Sequence, residues 1–121
     1  MGYIRHKALI LTGFRPEEVE AVHQEAKRLL SEYTASLFLD ASTLVTPIVR
    51  GIANNYWSFM IAPDGSKEGW HESDYCDKAR HELIRFIKNR KLYVDYVEVA
   101  FGGDDKGADL TAFNEEEVDD D

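Results

Sequence analysis

Six patterned segments, in the order strand, helix, strand, strand, helix, strand, predict an α+β fold for this chain. Two long stretches carry apolar residues at helical spacing, and four short runs are rich in β-branched and aromatic residues. The economical packing is a ferredoxin-like βαββαβ sandwich, with both helices on one face of a four-stranded antiparallel sheet. Residues 1–103 make one α+β domain on this reading, and 104–121 form an acidic, flexible C-terminal tail that is expected to lack regular structure beyond about residue 106.

The first strand is YIRHKALILT (3–12), with its apolar centre at Leu9, Ile10 and Leu11. Pro16 suits a first helical turn, where its missing N–H costs nothing and Glu17 and Glu18 meet the positive helix end. Val19, Val22, Ala26, Leu29, Leu30 and Tyr33 then fall on one face of a helix over 16–33. Residues 34–44 carry no clear period and form a connection. VTPIVRGIA (45–53) and YWSFMIA (56–62) flank Asn54-Asn55, a two-residue hairpin turn because Asn tolerates positive φ. In that register Ala53 pairs with Tyr56 and Ile52 faces Trp57, and Pro47 assigns its strand to a sheet edge.

Pro63-Asp64-Gly65-Ser66 is a turn, and Ser73 or Asp74 caps the second helix. Its buried stripe is Cys76, Ala79, Leu83, Phe86 and Ile87. In the last strand, YVDYVEVAF (93–101), Val97 and Val99 are expected inside with Trp57 and Phe59, while Glu98 points to water.

A chain of 121 residues that is 44% apolar is long enough to bury a core without staples. Its single cysteine, Cys76, excludes an internal disulfide and a cysteine-based zinc site. No apolar run approaches a membrane span and no signal peptide opens the sequence, so a cytoplasmic protein is expected. Of the net charge of −9, most belongs to residues 102–121, where nine acids face Lys106 alone. Such a tail repels nucleic acid and suits a basic protein surface.

In the expected fold the third and fourth strands are parallel, so PDGSKEGWHESD and FGGDD emerge at one end of the sheet. The candidate binding residues are therefore Lys67, Glu68, Trp70 and His71 in one loop, with Gly102, Gly103, Asp104 and Asp105 in the other. Lys67 and the helix N-terminus suit a phosphate or carboxylate; Trp70 suits stacking on a base or a packed partner, or, as the favoured reading, covering the start of the second helix. Asp64, Glu68, Asp104 and Asp105 supply oxygen atoms for a hard cation, but calcium-loop spacing is missing, and no metal or cofactor is assigned. His71, Asp74, Asp77 and His81 lie opposite the buried stripe and read as a solvated face.

Catalytic signatures are missing: there is no Walker loop, no GxSxG elbow and no HExxH helix. TGFRPEE lacks the arginine-bearing phosphate loop of acylphosphatases. Tyr56, Tyr93 and Tyr96 could line an open sheet face, but the RNP pattern of RNA-recognition domains is missing, so no nucleic acid is expected.

Gly65-Ser66-Lys67-Glu68-Gly69-Trp70, Ser73-Asp74 and the closing VEVAFGGDD (97–105) resemble a group of small uncharacterised bacteriophage-encoded proteins. The resemblance spans the latter half of the chain and implies a phage-type accessory protein acting in the host cytoplasm, with no activity attached. The expected function is binding of a macromolecular partner, such as inhibition of a host factor, without catalysis. Two alternatives are a nucleotide-type ligand binder using the 63–71 loop with Gly102–Asp105, and a metal-dependent hydrolase using the clustered acids.

Overall fold

The computed structural model describes residues 3–32 and 40–114. Strand β1 (His6–Gly13) leads into helix α1 (Pro16–Ser31), and a 3₁₀ turn (Ala41–Leu44) precedes the short strand β2 (Val49–Arg50). Strand β3 (Trp57–Ile61), helix α2 (His71–Arg90), strand β4 (Val94–Phe101) and strand β5 (Ala108–Phe113) complete the order. The sheet runs β2-β3-β1-β4-β5 with every neighbouring pair antiparallel. Its first four strands are compatible with the ferredoxin-like arrangement. The strand count is five, however, and not four.

The fifth strand lies in the stretch read as tail. Charge dominates that stretch, yet Leu110 and Phe113 sit opposite Val99 and Val97, and Ala112 packs against the core. Most of the acidic run, 115–121, lies outside the described residues, as does 33–39 before the 3₁₀ turn.

Both helices cover one sheet face. Helix α1 starts with Pro16 at its first position and buries Val19, Val22, Ala26 and Leu30. Helix α2 buries Cys76, Ala79, Leu83, Ile84 and Ile87, and also the charged Arg80. It begins before Ser73: Gly69, at φ +90°, turns the chain so that Trp70 is the N-cap, its carbonyl accepting from the Asp74 N–H at 3.1 Å. Lys91, in the left-handed region, closes the far end.

The hairpin register differs from expectation. Arg50 pairs with Trp57 and Val49 with Ser58, so the connection spans 51–56 and Ile52 lies fully exposed. Asn54 and Asn55 both take positive φ, as their residue type favours, within this longer loop. β2 is an edge strand, and Pro47 lies two residues before it.

The larger correction is in β4. Val94, Tyr96, Glu98 and Ala100 face the helices and are buried, while Val97, Val99 and Phe101 face the other way. The register explains this, because Leu9 and Leu11, fully buried under the helices, lie opposite Glu98 and Tyr96. Glu98 is tolerated inside because Arg80 of α2 meets it there at 2.5 Å.

Candidate functional site

β3 and β4, each antiparallel to β1, run parallel to one another, so their exits share the end of the sheet where β1 begins. The chain start, Tyr3–Arg5, lies as a strap between the two loops. On one side Ile4 bridges to Lys67, and the Glu68 N–H donates to the Tyr3 carbonyl at 2.9 Å. On the other, the Asp104 N–H donates to the Ile4 carbonyl at 2.8 Å, and the Ile4 N–H donates to Asp104 Oδ2 at 2.7 Å. The Arg5 guanidinium donates to the Asp105 and Gly107 carbonyls, both at 2.7 Å, and pairs with Asp109.

FGGDD is thus built as a turn into β5 that clasps the chain start. Gly102 and Gly103 have positive φ, and a Cβ on Gly103 would lie 2.2 Å from the Ile4 carbonyl oxygen. The Asp104 carboxylate already accepts a backbone N–H, and Asp64 accepts from the Ser66 hydroxyl. Among the described residues, no group of three or more His, Cys, Asp or Glu is placed to hold a metal ion.

Glu68, Trp70 and His71 are exposed beside the strap and Lys67 is half-buried there. Lys67 Nζ stands 5.8 Å from the Trp70 ring centre, a loose cation–π contact. Trp70 is 49% exposed and so does not cover the start of α2. A cavity of about 380 Å³ lies at the opposite end of the sheet, lined by Arg50–Asn55 of the β2–β3 loop. Of the set His71, Asp74, Asp77 and His81, Asp77 is no simple solvated acid, since it accepts from Lys7 and Arg80. Burial pushes the Cys76 thiol up to about 12, which keeps it protonated and inert.

A second surface was not apparent from the sequence. The sheet face opposite the helices carries a continuous apolar field. Its central row is Met60, Ile10, Val97 and Phe113, and the next is Ala8, Val99 and Leu110. A bulge makes this possible: Thr111 is the extra residue between the Ala112–Glu98 and Leu110–Val99 pairs, so Leu110 and Phe113 share one face. Leu110 is 65% exposed, Phe113 53% and Ile10 41%. At one margin Phe14 packs against Tyr56 and Tyr93, with ring centres 6.3 and 6.1 Å apart, and at the other His6 packs on Phe101. Tyr96, grouped with Tyr56 and Tyr93 by type, is buried under the helices instead.

The signal for this face was present in β1 and β4, whose two alternating sets are both largely apolar, as in strands covered on both sides. Comparison with protein-family models and with curated proteins finds no match for the chain. Among the described residues, no helix is long and apolar enough to cross a membrane.

Proposed function

We propose that this chain is a non-catalytic, protein-binding accessory protein: a ferredoxin-like unit extended by β5, whose open sheet face docks an apolar, charge-poor protein surface. One observation carries this reading. β4 turns Val97, Val99 and Phe101 outward and Glu98 inward, the reverse of what a sheet solvated on that face requires. Apolar fields of this extent on small proteins mark interaction surfaces. The resemblance to phage-encoded proteins fits a small accessory role in the host cytoplasm. The clasped geometry of Gly102–Asp105 argues against the hydrolase alternative, because its acids serve the backbone. The nucleotide-type alternative rests on the loose Lys67–Trp70 contact at 5.8 Å.

A photo-activated cross-linker placed at residue 110, and separately at Glu82 on the outer side of α2, tests the reading in cells. Protein adducts are expected from position 110 and not from position 82. Equal yields, or none from position 110, would contradict it.

A further inference from the structure

We infer that the protein seated on the open sheet face is a second copy of this chain, joined face to face about a two-fold axis. This rests on the docking reading above and names its partner. Three features of the face carry it.

The first is size. The five strands, of two, five, eight, eight and six residues, lie about 4.8 Å apart and rise about 3.3 Å per residue, which gives a flat footprint of roughly 450 Å². Side-chain relief adds to that footprint, against the ~800 Å² per partner of a standard stable interface. The Phe14, Tyr56 and Tyr93 row extends it at one end.

The second is charge. The rows through Ile10 and Ala8 contain no charged side chain. Asp95 stands at the margin, opposite Thr12, and Arg15 lies over the Phe14 and Tyr93 rings. Asp109, the acid of β5, is turned away to Arg5. A strongly acidic or basic partner would find no complementary charge on this field. A copy of the same field needs none, because an isologous contact sets each apolar row against its equivalent.

The third is shape. A twisted sheet is best matched by another sheet of the same twist, packed about 10 Å away at roughly −30°. A second copy supplies such a sheet with the same side-chain relief.

Sedimentation equilibrium of the full 121-residue chain across a wide concentration range is the test. The expected mass is twice 13.8 kDa. Leu110→Glu and Phe113→Glu, on the exposed edge strand, are each expected to raise the dissociation constant by roughly a hundredfold, with unchanged far-UV circular dichroism. A dimer indifferent to both variants would overturn the inference by placing the contact elsewhere. A mass of 13.8 kDa at every concentration would overturn it too, and decides the matter if either variant fails to fold. In that monomeric case, adducts from position 110 to a different protein would leave the docking face standing, whereas their absence would remove both readings.

Discussion

Arg80 on α2 donates through Nε to Glu98 Oε2 on β4 at 2.5 Å, with both side chains sealed from solvent at 1% and 3% exposure. Asp77 shares the guanidinium, and the Thr111 hydroxyl donates to Glu98 Oε1 at 2.7 Å, which ties β5 to the same point. Arg80 Nη1 nevertheless has no acceptor among the described residues. A buried pair of this kind is costly to break and less valuable to keep. Glu98→Ala should therefore destabilise the fold by up to about 3–5 kcal/mol, because it leaves the buried Arg80 Nε without its acceptor and only Asp77 on the guanidinium. Arg80→Met combined with Glu98→Leu should recover most of that loss. Urea denaturation of the single and double variants checks both, and a double variant as unstable as the single would refute the account of the pair.

The same carboxylate sets an acid limit. Burial alone would raise the Glu98 carboxyl, but the Thr111 and Arg80 donors outweigh it and hold the group below its ordinary 4.5. Between that depressed value and 4.5 the unfolded chain binds more protons than the folded one, so stability rises with pH. The contribution is complete above 4.5 and is lost as pH falls through the folded value. Glu25, lowered mainly by its hydrogen bond from Arg28, adds to the same limb. Melting temperature should fall below pH 4.5, and Glu98→Gln should show a shallower acid limb than the parent. Parallel limbs would contradict this assignment.

Gly103 should be the least replaceable glycine of the two loops. Its φ is +72°, and an added Cβ would meet the Ile4 carbonyl at 2.2 Å, whereas Gly65, at φ +80°, has open space around it. Gly65→Ala should cost only the left-handed backbone penalty, about 1–2 kcal/mol. Gly103→Ala should cost clearly more and loosen the strap at Tyr3–Arg5. Thermal melts, with hydrogen exchange at the Asp104 amide, would show both effects.

Trp70→Ala and Lys67→Ala should each change stability by less than about 1 kcal/mol, since the ring is half exposed and the contact between them is loose. A loss near that of a core aromatic, about 3–5 kcal/mol, would mean that the ring is buried in solution.

Much of this architecture was legible because the helical periods and the turn residues agree with the final packing. Pro16 starts α1 as its chemistry dictates, and Pro47 lies in the segment leading to an edge strand. The convergence of the two loops follows from strand direction alone. The face of β4 was not legible, because Val97, Val99 and Phe101 form the more apolar set and the Arg80 and Thr111 contacts that make Glu98 acceptable inside come from elsewhere in the chain. β5 was hidden for a related reason: its pairing depends on a bulge that brings Leu110 and Phe113 together within a run of acids. Periodicity reports which residues avoid water, but it cannot distinguish a helix from a partner as the cover.

That distinction is the central claim, and side-chain footprinting tests it most directly. Hydroxyl-radical labelling of the intact protein should be compared, residue by residue, with labelling of the unfolded chain. If a second copy of the chain covers the open face, Leu110 and Phe113 will be strongly protected despite the 65% and 53% exposure they have in a single chain, while Trp70, at 49%, will label freely. Labelling of Leu110 and Phe113 in proportion to those single-chain exposures would contradict it.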